Sequence, residues 1–269
     1  MPPRSTVSLT RVRRAGGILA GLYLIYALLA SLLVPTFIYP FDQTLFQAQG
    51  FRRVEVADTP PLYVHDAGPD APVVIYFMGN IGSLQWFGPD LQMHGAAGRS
   101  IVAMTYRGGG GESGQPSESA LKSDALATFD ALEAVLPDHG PVILHGYSLG
   151  SGLAFHVAAR READAVLVVA PYARLCEVMA QKSWVPACRV PWVDRWQSLP
   201  DARATDEPIL ILHGTADELI PITQSERLAG DSQVGPVEFR RLNATHTDIV
   251  VNDAYASEVG DLIAGALGN

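Results

Sequence analysis

Pro141-Val142-Ile143-Leu144-His145-Gly146-Tyr147-Ser148-Leu149-Gly150-Ser151-Gly152 is the stretch on which the reading of this chain turns. Val142 to Leu144 is a short apolar run of the kind a fully covered strand shows. Helical spacing (Leu153, Ala154, Val157, Ala158) begins just past Ser148. Between them stands Gly146-x-Ser148-x-Gly150, the nucleophile-elbow pattern that puts a serine on a sharp strand-to-helix turn. In so tight a turn a side chain two residues either side of the serine would meet neighbouring backbone, so both places are glycine. The hydroxyl is then presented at the carboxyl end of a sheet. The amide of Leu149, at the start of the helix, points where an oxyanion would form. Ser148 is the candidate nucleophile and Leu149 N–H a candidate oxyanion donor.

Working outward, Phe51–Val56 and Leu62–His65 are expected to form an antiparallel pair split by Asp58, Pro60 and Pro61. Val73–Phe77, Ile101–Thr105, Ala165–Ala170 and Ile209–His213 are continuous apolar runs, as strands buried on both faces show, and Val237–Leu242 is the last strand. The spacing predicts helices over Pro116–Leu136 and Ile249–Leu267. Strands alternating with helices imply an α/β fold with a mainly parallel, doubly wound sheet. Residues 171–208 interrupt that alternation with three of the four tryptophans (Trp184, Trp192, Trp196), both cysteines and three internal prolines. An insert of this length between two strands reads as a short cap over the site.

A serine needs a base and an orienting acid. Asp217 lies in the turn after the strand Ile209–His213, where a sheet of this kind presents an acid. Its neighbour Glu218 is expected to be solvated. Of seven histidines, His246 follows the final strand and completes the chain order Ser…Asp…His that the elbow requires. His145 and His213 end strands and are expected to pack and hydrogen-bond around the site, whereas His65, His94, His139 and His156 read as surface or structural residues. No metal-ligand spacing is present and no cofactor is implied. Gly108–Gly111 lacks the Lys-Ser/Thr of a phosphate-binding loop and reads as a plain loop. The second oxyanion donor is expected from the turn after Val73–Phe77, at the backbone N–H of Asn80 beside Gly79.

The N-terminus is of a different character. Ala15 to Val34 contains no charge for twenty residues, enough to cross a bilayer core, with Pro35 expected to end the helix. Arg4, Arg11, Arg13 and Arg14 precede it without an acidic residue, which places the N-terminus in the cytoplasm and the rest beyond the membrane. A cleaved signal peptide is the alternative, but its small-x-small site is poor here. The net charge of −9 argues against nucleic acid as a partner. Cys176 and Cys188, twelve apart, form a disulfide if this segment is exported and are free thiols if it is cytosolic.

Four blocks in this order resemble the α/β-hydrolase superfamily: Phe77-Met-Gly-Asn-Ile-Gly82, Tyr106-Arg-Gly-Gly-Gly-Gly-Glu-Ser-Gly114 with Pro116-Ser-Glu118, Gly146-Tyr-Ser-Leu-Gly150, and His213-Gly-Thr-Ala-Asp217 with Ile220-Pro221. His246 follows them. Within the superfamily the chain is similar to membrane-anchored serine hydrolases whose oxyanion loop reads H-G-N-x-G, over about Phe51 to Gly268. Met78 stands where those proteins carry histidine, and Asn243-Ala-Thr-His246 replaces a more glycine-rich approach to the base. The resemblance implies a Ser148–His246–Asp217 triad acting on carboxylic ester or thioester bonds of lipid-like acyl substrates. The expected organisation is a cytoplasmic basic segment (1–14), a transmembrane signal anchor (15–35), a connector (36–50) and an extracytoplasmic, periplasmic-type α/β-hydrolase domain (51–269). The alternatives are a serine peptidase, or a catalytically inactive envelope binding or scaffold protein.

Overall fold

The computed structural model describes residues 9–57 and 59–268. Arg4 of the basic segment, the turn residue Asp58, the terminal Asn269 and the side chain of Arg11 lie outside the described residues. The strands are β1 (Arg52–Val54), β2 (Leu62–His65), β3 (Val73–Phe77), β4 (Ser100–Met104), β5 (Val142–Tyr147), β6 (Ala165–Val169), β7 (Ile209–Gly214) and β8 (Val237–Leu242). They form one sheet in the order β1-β2-β4-β3-β5-β6-β7-β8, with β1 and β2 antiparallel and every pairing from β4 to β8 parallel. Every residue of β3, β4, β5, β6 and β7 is buried, which is why these strands read as unbroken apolar runs. The edge strand β8 alternates partly exposed positions, as in Glu238 and Arg241.

The helices are α1 (Leu9–Ile38), α2 (Gly88–Ala96), α3 (Glu118–Asp130), α4 (Leu132–Val135), α5 (Ser151–Ala158), α6 (Leu175–Ser183), α7 (Leu199–Ala202), α8 (Thr223–Ala229) and α9 (Tyr255–Ala266). Helix α3 is started by Ser117, whose hydroxyl accepts the Ala120 N–H at 3.2 Å. The expected helix over 116–136 is divided into α3 and α4, and that over 249–267 into a 3-10 turn at Ile249–Val251 and α9. Helix α2 has no signature in the sequence because it carries a proline in its first turn and buries polar Asp90 and His94 instead of an apolar stripe.

Helix α1 does not end at Pro35. It runs on to Ile38, so the connector starts at Tyr39. Proline costs the helix a hydrogen bond in its interior. Here Val34 and Ile38 are buried against the α/β domain, and the Tyr39 amide donates to the Pro35 carbonyl at 2.8 Å. Packing on both sides of the proline therefore outweighs the break. The connector is knitted to the domain: the Asp42 amide donates to Ile81 O at 2.7 Å and the Gly110 amide to Asp42 O at 2.7 Å.

The insert after β6 consists of α6, a 3-10 turn (Ala187–Arg189) and α7, with Cys176 and Cys188 joined in a disulfide. Its return is anchored on α3, where the Glu118 carboxylate accepts the amides of Arg195 and Trp196 at 3.0 and 2.9 Å. The three tryptophans of the insert separate in role. Trp196 is fully buried and donates its indole N–H to the Tyr39 hydroxyl at 2.9 Å, whereas Trp184 and Trp192 are 79% and 54% exposed.

Candidate active site

Ser148 follows the last residue of β5, in the middle of the sheet, with a backbone φ of +50°. A non-glycine residue rarely occupies this left-handed region, and a strained turn is what lifts a serine out of the strand. The flanking glycines are dictated by space. A Cβ on Gly150 would lie 2.0 Å from the Phe77 carbonyl oxygen, and one on Gly146 would lie 2.5 Å from that of Gly150. Asp217 comes from the turn after β7 and His246 from the loop after β8, so three strand ends deliver the three side chains to one place.

They form a hydrogen-bonded row. His246 Nε2 lies 3.0 Å from Ser148 Oγ, and His246 Nδ1 lies 2.7 Å from Asp217 Oδ2. The carboxylate can only accept, so Nδ1 carries the proton and Nε2 is left as an acceptor for the serine hydroxyl. The ring is placed from behind by Tyr147, whose hydroxyl donates to the His246 carbonyl. Burial, together with the nearby carboxylates of Asp90 and Asp217, pushes the Tyr147 phenol well above its ordinary range, so it stays a donor.

Asp217 is held by four donors. Oδ1 accepts the amides of Leu219 and Ile220, both at 2.8 Å, while Oδ2 meets His246 and, at 3.3 Å, His213 Nε2. Burial raises its pKa, but hydrogen bonds from His213 and His246 and the Ile220 amide outweigh that and hold the carboxyl well below the usual range. His213 is fixed in turn, its Nε2–H shared between Asp217 Oδ2 and, at 2.9 Å, Ile220 O, and its Nδ1 accepting from Ser225 Oγ at 2.6 Å. His213 therefore packs beside the site, as expected. Glu218 is exposed.

His145 belongs to a different cluster. With Asp90 and His94 it forms a fully buried group whose ligand-type atoms lie within 4.8 Å of one another. Its geometry fits a proton-ordered chain. The Arg99 guanidinium donates to His94 Nδ1 at 3.2 Å, and His94 Nε2 donates to His145 Nδ1 at 2.8 Å. His145 Nε2 faces Asp90 Oδ2 at 3.7 Å, and Asp90 accepts the hydroxyls of Tyr76 and Tyr255 at 2.7 and 3.0 Å. Burial depresses both histidines, with the neighbouring His145 and Arg99 adding to the shift of His94, which keeps the rings neutral. A metal ion here would have to displace the His94–His145 bond.

The expected oxyanion donors, Asn80 and Leu149, line one cavity of about 350 Å³ together with Ser148. The loop bearing Asn80 is held from two sides: Tyr106 donates its hydroxyl to Met78 O at 2.6 Å, and Asn80 Nδ2 donates to Phe37 O at 3.4 Å. The buried Tyr106 thus braces the loop through the backbone of Met78. The rest of the wall was not foreseen from the sequence: Val34, Phe37 and Ile38 of α1 face Leu175, Val178 and Met179 of α6 across the cavity. Only the density of aromatic residues just after the apolar run hinted that this segment packs on the domain.

No protein-family model matches the chain. Over 169 residues it is 32% identical to an uncharacterized protein of Mycobacterium tuberculosis, covering 62% of this chain and 59% of that protein. Over 181 residues it is 31% identical to the lysophosphatidylserine lipase ABHD12 of Xenopus tropicalis, covering 58% of this chain and 46% of that one. The chain thus spans about three fifths or less of the length of these curated relatives. Among solved structures it is similar to a Pyrococcus furiosus esterase, with a TM-score of 0.70 at 18% identity over 84% of this chain and 96% of the other. That likeness shows the fold. Sequence relatives and architecture agree: the chain has the α/β-hydrolase fold, and it is similar in sequence to proteins of the α/β-hydrolase superfamily.

Proposed function

We propose that this protein is a membrane-tethered serine hydrolase that cleaves carboxylic ester or thioester bonds of lipid-like acyl substrates. The observation that carries the proposal is the row from Ser148 Oγ through His246 to Asp217, at 3.0 and 2.7 Å, with the serine on a strained turn and an apolar cavity beside it. Ser148 attacks the acyl carbonyl as His246 Nε2 takes its proton, and Asp217 stabilises the imidazolium through Nδ1. The amides of Leu149 and Asn80 receive the negative charge of the tetrahedral intermediate. His246 returns the proton to the departing alcohol or thiol, and water, deprotonated by the same ring, releases the acid from the acyl-enzyme.

The cavity supports an apolar acyl group, being walled by aliphatic and aromatic side chains from α1 and α6. The lysophosphatidylserine lipase among the relatives supports the same substrate class. Helix α1 supports anchoring, since Val12–Ile38 is long and apolar enough to cross a bilayer. Arg13 and Arg14 at the start of that span favour a cytoplasmic N-terminus, and the Cys176–Cys188 disulfide favours an extracytoplasmic domain. The test is hydrolysis of p-nitrophenyl esters of increasing chain length by the wild type and by Ser148→Ala. The proposal expects turnover with a medium- or long-chain optimum, lowered on the order of 10⁴- to 10⁶-fold in the variant. Turnover equal in the two proteins would refute it, and no turnover of any ester would favour an inactive binding protein.

A further inference from the structure

We infer that the cap is itself a membrane-embedded surface: Trp184, Trp192 and the second half of α1 sit together in the acyl-chain layer of the bilayer, and the cavity beside Ser148 opens into that layer. This rests on the reading of α1 as a membrane segment and adds to it where the catalytic domain stands.

The argument is one of length. Tyr23 donates its hydroxyl to Trp184 O at 2.9 Å, Tyr26 to Ser183 O at 2.5 Å, and the Trp192 indole N–H reaches Ser31 Oγ at 3.3 Å. Ser31, Val34 and Ile38 are buried on the same side of the helix. From Tyr23 to Ile38, therefore, α1 lies against the domain, over roughly 22 Å at 1.5 Å per residue. Of the apolar span Val12–Ile38, only residues 12–22 project clear of it, roughly 16 Å of helix. A bilayer core is about 30 Å thick. The free part of α1 is too short to cross it, so the part beginning at Tyr23 must lie in the apolar layer, and the cap bonded to it lies there too.

The composition of that face agrees. Leu24, Leu28 and Leu32 of α1 are exposed, Trp184 and Trp192 are exposed on the cap, and Phe37 and Leu219 are exposed at the cavity. The lipid that covers the leucines covers the tryptophans, and two large indoles in water would otherwise be a costly patch. Lys182, at the cavity, donates its ammonium to Glu218 O at 2.6 Å, so its charge is met within the protein. A single-chain lipid in the leaflet can then slide its acyl group between α1 and α6 without passing through water.

The test uses the full chain in phosphatidylcholine vesicles, plain or brominated in the middle of the acyl chains, with vesicle flotation and tryptophan fluorescence read on the same samples. The expected result is flotation with strong quenching by the brominated lipid, and loss of most of that quenching in Trp184→Phe/Trp192→Phe, whose thermal melt should match the wild type. Flotation without quenching, or quenching unchanged in the double variant, would overturn the embedded cap while leaving the anchor in place. Failure to float would overturn the membrane reading of α1 and this inference with it. None of these readouts depends on hydrolysis, so an inactive protein would decide the question equally well.

Discussion

Replacing Asp217 by asparagine tests the proposed triad through a proton rather than a shape. Oδ1 of Asp217 accepts two backbone amides at 2.8 Å, from Leu219 and Ile220. An asparagine in the same place must therefore keep its carbonyl oxygen at the Oδ1 position, because an NH₂ there would face two donors. The NH₂ is forced to the Oδ2 position, 2.7 Å from His246 Nδ1. It donates to Nδ1, so the neutral ring must carry its proton on Nε2, which then points at Ser148 and cannot accept from it. The geometry survives and the tautomer is wrong. A change of this kind costs about 10⁴-fold in kcat, or about 5 kcal/mol of transition-state stabilisation. The assay is burst and steady-state turnover of a p-nitrophenyl ester at neutral pH, beside a near-ultraviolet circular dichroism spectrum to show the fold unchanged. A loss smaller than tenfold in a well-folded Asp217→Asn protein would refute the role assigned to this carboxylate.

Further expectations follow from the same contacts. Asp217 is held below its ordinary pKa in the folded protein, so its ionised form stabilises the fold above the unfolded value of about 3.9, and that contribution is lost as pH falls through the depressed folded value. The melting-temperature gap between wild type and Asp217→Asn should accordingly be full at pH 6–8 and shrink below about pH 4; a gap that widens in acid would contradict the sign. Phe37→Ala removes part of the cavity wall and should lower kcat/KM for long-chain esters by about five- to thirtyfold, equivalent to ~1–2 kcal/mol of apolar contact, with acetyl ester turnover nearly unchanged. Equal losses on both esters would remove Phe37 from acyl binding. Cys176→Ser/Cys188→Ser should cost about 3 kcal/mol and lower the melting temperature by about 6–12 °C, read by calorimetry, because the cap loses its cross-link. An unchanged melt would mean that the Glu118 contacts to Arg195 and Trp196 alone hold the cap.

The parts of this molecule that were legible in the sequence are those fixed by local chemistry. Strands β3 to β7 are buried on both faces and so had to be apolar throughout. Gly146 and Gly150 were readable because the turn leaves no room for a Cβ. The order of Ser148, Asp217 and His246 along the chain gave a specific expectation of a hydrogen-bonded row, and the three side chains do meet. What escaped was set by packing between distant segments. Helix α2 buries Asp90 and His94 in a polar network with His145, which no periodicity marks. Pro35 reads as a helix end, yet burial of Val34 and Ile38 carries α1 a turn further. The cavity wall joins α1 to α6, and nothing local in either stretch names the other. The pairing of Cys176 with Cys188 was open because spacing alone cannot report the compartment.

The most direct test of the central claim is to treat the intact protein with a fluorophosphonate and map the adduct by peptide mass spectrometry. The account predicts a single adduct on Ser148 that forms rapidly at neutral pH and is absent in both Ser148→Ala and heat-unfolded protein. No adduct on the folded wild type, or an adduct on another residue that persists in Ser148→Ala, would contradict it.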